Sequence, residues 1–148
     1  MSLLLLTIAG SIIAVVVGSF WYSNATPTGK LHMKYLGFDK LTPEEQQAKI
    51  KAAMPGMPKI YAAQMALSAL TAFATVFIIT MSVKNGVPIT MAVGFVLMNW
   101  LCFMVPIIGQ GVLWGNVDRS IAWQKFFSDS ASNLTTLLLT SLLVSFFV

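Results

Sequence analysis

The chain has 148 residues and a formal net charge of +4, with 57% hydrophobic and only 9% charged residues and a mean hydropathy of +0.79. An ordinary soluble domain has about a quarter of its residues charged. Nine Lys and Arg, five Asp and Glu and one His therefore exclude a water-soluble globule, and the same apolarity excludes a disordered chain.

Met1 to Gly29, Ile60 to Val83, Asn85 to Val117 and Ser130 to Val148 contain no charge. Each is long enough to cross a hydrocarbon core, which needs roughly 20 helical residues because a backbone in lipid must satisfy its own hydrogen bonds. The expected architecture is all-α: one membrane domain over 1–148, a left-handed bundle of four transmembrane helices at about 2–22, 60–83, 88–114 and 122–148. Helix 1 ends in Ser23-Asn24-Ala25, which resembles a signal-cleavage site. The segment lacks a basic leader, and Trp21 and Tyr22 crowd the small residues, so helix 1 is expected to be retained. Pro88 suits the first turn of helix 3, whereas Pro106 falls inside it and is expected to bend it.

The loop 23–59 contains a short amphipathic helix. Thr42-Pro43-Glu44-Glu45 reads as an N-cap, a first-position proline and a capping box, and the helix is expected to stop before Met54-Pro55-Gly56-Met57-Pro58. Ile50, Ala53, Met54 and Met57 fall at helical spacing, while Lys49 and Lys51 can meet lipid phosphate.

Four crossings place Lys30, Lys34, Lys40, Lys49, Lys51, Lys59, Arg119 and Lys125 on one side and Lys84 alone on the other. By the positive-inside rule the loop 23–59 is expected inside and both termini outside, in a plasma or inner membrane or its organellar equivalent. The pI of about 9.4 then reflects lysines facing anionic lipid headgroups, and nucleic acid is not implied.

Each helix also carries a polar or small stripe: Thr7, Ser11, Ala14, Gly18 and Trp21; Gln64, Ser68, Thr71, Thr75 and Ser82; Asn99, Phe103, Pro106, Gln110 and Leu113; Asp129, Asn133, Thr136 and Thr140. Membrane helices associate through small residues and interhelical hydrogen bonds, so the stripes are expected to face inward as packing devices. A second reading makes Gln64, Asn99, Gln110 and Asn133 the lining of an intramembrane cavity, with Trp100 beside it needing an acceptor for its indole N–H. Asn99 and Gln110 are about 16 Å apart along a helix and cannot both touch one small group.

Catalytic chemistry is sparse. No ionisable residue lies deep in an expected span, where proton relays and coupled transporters place theirs. Cys102 has no partner thiol and reads as a small buried hydrophobe. His32 lacks companions for a metal or haem site, so no metal and no cofactor are expected. Gly109-Gln110-Gly111 lacks the strand and spacing of a nucleotide loop. Lys125 and Asp129, one helical turn apart, read as a surface pair. The remaining candidate surface is Trp21, Tyr22, Lys30, Lys34, Arg119 and Asp129 at the inner face, with the segment between Gly29 and Gly37 folding back under the bundle and bringing Lys30 and Lys34 toward Asp129.

Gly18-Ser19-Phe20-Trp21-Tyr22-Ser23, the run Gly29-Lys30-Leu31-His32-Met33-Lys34-Tyr35-Leu36-Gly37, and Trp100 to Trp114 with Phe103 and Pro106 resemble DUF1761, a family of small four-helix membrane proteins of unknown function. The likeness covers nearly the whole chain. It departs at Asn24, where the family tends to have Pro, at His32, where it tends to have an aromatic residue, and in the turn Gly115 to Arg119. The resemblance implies the topology and no reaction. The function expected is binding, as an accessory or scaffolding subunit among other membrane subunits, by self-association, or as a lipid-binding module. The alternatives are a small oligomeric transporter or channel and, third, a membrane enzyme acting on an apolar substrate near Asn99 and Trp100.

Overall fold

The computed structural model describes residues 2–115 and 117–148, and among them it is all-helical. Seven α-helices follow in order: α1 (Leu3–Trp21), α2 (Pro27–Tyr35), α3 (Pro43–Ala53), α4 (Met57–Lys84), α5 (Ile89–Asn99), α6 (Val105–Leu113) and α7 (Arg119–Ser145). Three helical runs are long and apolar enough to cross a membrane: Leu3–Trp21, Pro43–Lys84 and Ile89–Leu113. The protein is a helical, membrane-type molecule. Its exposed surface fits that solvent, since Leu4, Ile8, Ile12, Val16 and Phe20 of α1 all face outward, a patch far larger than water tolerates on a soluble monomer.

The local chemistry explains most boundaries and corrects several expectations. Ser2 caps α1, accepting from the Leu5 N–H at 3.3 Å. The capping box of α3 forms as expected, with the Thr42 N–H donating to Glu45 at 2.8 Å. The helix ends at Ala53, before Met54 as expected, but the chain stays helical. A 3₁₀ turn over Met54–Gly56 hands the chain to α4, giving a continuous path of 42 residues. Pro55 and Pro58 each occupy an opening position of the next segment, where a missing N–H costs nothing. Pro106, expected to bend its helix, lies in an uninterrupted helical run. A π-helical turn over Trp100–Met104 stands immediately before it, widening the backbone where the ring would strike the carbonyl four residues earlier.

The segment 119–145 is the best-buried helix. It begins at Arg119, three residues before the expected Ala122, because Asp118 caps it, accepting from the Ser120 N–H at 2.8 Å. Ser128, Ser130, Ser132, Thr140 and Ser141 are buried along it. These side chains lower its hydropathy, and α7 is not among the three runs apolar enough to span. Small hydroxylated residues suit a helix that faces other helices on most sides.

The apolar core, Leu6, Val76, Ile79, Ala92, Val96, Leu137 and Val144, lies toward the ends of α1 and α7 that carry the chain termini. The long helices pack closely at Gly10, where an added Cβ would sit 2.9 Å from the Thr140 methyl and 3.1 Å from the Ala72 Cβ. Gly10 was not part of the polar stripe expected on helix 1, although α1, α4 and α7 converge there. Beyond it the helices diverge. An added Cβ at Gly18, two turns on, meets nothing within 4 Å, and every residue from 58 to 67 of α4 is exposed. Several hydroxyls of the polar stripes do not bridge the helices as expected. Thr7, Ser11, Thr71, Thr75 and Thr136 each donate to the carbonyl four residues back in their own helix.

Gly10→Val should overpack this crossing and destabilise the protein by about 1–3 kcal/mol, whereas Gly18→Val should leave its thermal midpoint in detergent unchanged or higher. Equal effects at the two positions in melts followed by circular dichroism would contradict the convergence at Gly10.

Candidate functional site

The end of α1 is fastened to α7 by two side-chain hydrogen bonds. The Trp21 indole N–H donates to Ser128 Oγ at 3.0 Å, and the Tyr22 hydroxyl donates to Asp129 Oδ1 at 2.7 Å. Asp129 also pairs with Lys125, one turn earlier on α7. This is not the surface pair expected of that spacing, since Lys125 is 5% exposed. Its ammonium lies 5.2 Å from the Tyr22 ring centre and 5.6 Å from that of Tyr35, so two aromatic faces take the place of water around it.

The shielding comes from α2, which does fold back under the bundle. Thr26 caps it, accepting from the Gly29 N–H at 3.0 Å while its hydroxyl lies 2.8 Å from the Ser23 carbonyl oxygen. Thr28 donates to the Trp21 carbonyl. Gly29 is not a break but a close approach: an added Cβ would lie 1.9 Å from the Ser23 carbonyl oxygen. Gly37, with φ of 74°, does end the helical run.

The residues α2 brings to the cluster are His32 and Tyr35, while Lys30 and Lys34 are exposed. The rings of His32 and Tyr22 are 5.1 Å apart, and the Tyr35 hydroxyl lies against Gly115. Burial pulls the His32 imidazole below its ordinary 6.5, with Lys125 adding to the shift and Asp129 opposing it, so the ring is neutral at pH 7. Lys30 and Lys34 instead share a surface groove with Asn24, Met33, Phe38, Asp39 and Gln46. Arg119 is exposed at the start of α7 beside Trp114 and Trp123. Of the six inner-face candidates, then, Trp21, Tyr22 and Asp129 are joined and the three cations are not.

Next to this clasp, where α4 leaves the bundle, α1, α4 and α7 line an open cavity of about 250 Å³. Ala14, Gly18 and Tyr22 line one side, Gln64, Ser68 and Thr71 the second, and Ser132, Asn133 and Thr136 the third. Gln64 and Asn133, two of the expected cavity amides, thus share one space. Asn99 and Trp100 line a different cleft of about 220 Å³ between α4 and the π-helical turn, with Thr75, Val96, Met104 and Leu137. The Trp100 indole nitrogen is enclosed without a partner. Gln110 lies exposed in neither space, and Cys102 is exposed rather than buried.

Sequence reasoning missed His32 and Tyr35 as parts of the cluster and Lys125 as a buried cation. A signal for α2 was present, because Thr26-Pro27 repeats the Thr-Pro start that marks α3. Comparison with known proteins finds no matching family model, no matching curated protein and no matching solved structure.

Removing one member of a buried ion pair leaves an uncompensated charge, typically a loss of about 3–5 kcal/mol. Lys125→Met should therefore lower the thermal midpoint strongly, and Lys125→Met/Asp129→Leu should recover much of that loss. If the single variant melts like wild type, the pair is solvated and the clasp is wrongly placed.

Proposed function

We propose that the chain is an integral membrane protein with four spans, α7 supplying the fourth, that works by binding the polar part of a membrane amphiphile between α1, α4 and α7. The observation that carries this reading is the cavity edged by Gln64, Ser68, Asn133 and Thr136. A polar cavity opening from an otherwise apolar bundle must be filled, because unpartnered amides and hydroxyls in a membrane are costly. At about 250 Å³ it is nearer the size of a headgroup than of a whole lipid, and small-molecule pockets begin at about 300 Å³. The convergence at Gly10 closes the cavity toward the termini, which favours binding over passage through a single chain.

Membership in the DUF1761 family is part of the proposal. The two segments that carry the resemblance, 18–23 and 29–37, are the segments that build the clasp. Around it, Lys30, Lys34 and Arg119 offer exposed positive charge to anionic headgroups at an inner face, each contributing about 1 kcal/mol near such a surface. A second reading, association with other membrane subunits or with another copy, draws on the arm of α3 and early α4, where Ile50, Met54, Ile60, Tyr61 and Met65 stand exposed.

Gly18→Leu places a side chain in the cavity at a position with open space, and leucine is the better helix former by roughly 0.8 kcal/mol. Native mass spectrometry of protein released from membranes should show one retained lipid on wild type and its loss from Gly18→Leu, with the variant no less stable. Equal retention by both proteins would sink the reading.

Orientation is tested separately with single cysteines at Ser2 or Ala48 in a Cys102→Ala background. An impermeant thiol reagent applied to intact cells should label position 2 and spare position 48. The reverse pattern would mean that the lysine-rich loop lies outside.

A further inference from the structure

The charge balance around the cavity decides which amphiphile fits it. We propose that the site takes an uncharged, hydroxyl-bearing acylglycerol, of the diacylglycerol kind, and rejects the same lipid carrying a phosphate; this deepens the lipid-binding reading and rests on it. Among the described residues, no charged side chain lines the space. The lining residues of α1 and α4 are neutral, and the nearest charges on α7, Lys125 and Asp129, neutralise each other. The Tyr22 hydroxyl is already committed to Asp129. A phosphate seated against these walls would give up water for neutral groups and meet no counter-charge, a cost that neutral hydrogen bonds do not offset.

What the walls do offer is a balanced set of donors and acceptors. Among the described residues, the Gln64 amide and the Ser68 hydroxyl make no side-chain hydrogen bond, so both remain free for a ligand. The Asn133 amide donates once, to the Asp129 carbonyl oxygen at 3.1 Å, keeping its own oxygen and a second N–H. Thr71 and Thr136 spend their protons on the Leu67 and Ser132 carbonyls, which leaves their oxygens as acceptors. A glycerol hydroxyl both donates and accepts and can use both kinds of group, whereas an ionised phosphate only accepts.

Depth points the same way. Along α4, Gln64 and Thr71 lie five and twelve residues beyond Lys59, or about 7 and 18 Å at the helical rise. The exposed lysines that would hold phosphates at the surface are therefore outside the cavity. A lipid without a phosphate is free to sit deeper, its chains leaving past Leu67, which is 60% exposed.

The test uses the full chain in phosphatidylcholine nanodiscs supplied with dioctanoylglycerol or dioctanoyl phosphatidic acid, which share glycerol and chains and differ by the phosphate. Retention is read by native mass spectrometry and stabilisation by the thermal midpoint. Wild type should retain dioctanoylglycerol with a preference of about tenfold or more, equivalent to about 1.4 kcal/mol. Gln64→Leu/Asn133→Leu should lose that preference, and Gly18→Leu serves as a second variant should the double variant fold poorly. Phosphatidic acid held as tightly or more tightly, and lost in the same variants, would overturn the neutral-lipid assignment and leave the lipid cavity standing. If neither lipid is held, or both are held equally by wild type and cavity variants, this assignment and the lipid-binding reading fall together.

Discussion

The architecture depends on the absence of a side chain at Gly10. Lipid gives helices no hydrophobic reason to associate, so close packing of small surfaces must supply the attraction. At Gly10 the α1 backbone comes against Ala72 of α4 and Thr140 of α7, with no room for a methyl group. The three helices are gathered at that level, and the apolar core from Leu6 to Val144 lies on the side of the termini. On the other side, α4 continues into the arm of α3 instead of following its neighbours. Convergence at one level and divergence at another leave a gap. The cavity beside Gly18 and Gln64 is that gap.

A second fastening sets the shape of the gap. Trp21 and Tyr22 hold the end of α1 to Ser128 and Asp129 of α7, so those two helices remain together while α4 alone departs. Burial of Lys125 makes this fastening costly to disrupt, and α2 keeps it buried by laying Tyr35 and His32 over it. The short helix is therefore more than a cover: it maintains the environment in which the ion pair is strong. Its own docking in turn depends on Gly29, whose backbone presses on the Ser23 carbonyl. The dependence runs from a glycine on α2, through two aromatic rings, to a pair of charges on α7 and the position of α1.

Much of this was legible in the residues. Absence of charge located α1, α4 and the α5–α6 run, and the capping box located α3, because those signals act within a few residues of one another. The clasp was half legible: Trp21, Tyr22 and Asp129 stood out, but the lysines chosen to join them, Lys30 and Lys34, lie on the exposed side of α2. A one-residue change of helical phase separates His32 from Met33 and Tyr35 from Lys34, and only the docking of α2 sets that phase. Burial of Lys125 was invisible for the same reason, since spacing reveals the pair with Asp129 and says nothing of the rings around it. Gly10 escaped because the stripe on α1 was traced through hydroxyls, Thr7 and Ser11, which turn out to bond their own helix. Gln64 and Asn133, two of the four amides expected to line a cavity, share one space. Asn99 and Gln110 were not their companions, because Asn99 lines the cleft between α4 and the π-helical turn while Gln110 lies exposed on α6, which packs against α7.

The central claim is that α4 separates from α1 and α7 below the Gly10 crossing and leaves a polar space that lipid occupies. A density map of the protein in lipid nanodiscs, enlarged with a bound antibody fragment for alignment, tests it directly. The account predicts non-protein density bounded by Ala14, Gly18, Gln64, Ser68 and Asn133, continuous with the surrounding lipid. Direct packing of Gln64 and Ser68 against Gly18 and Ala14, with the helices closed along their whole length, would contradict it.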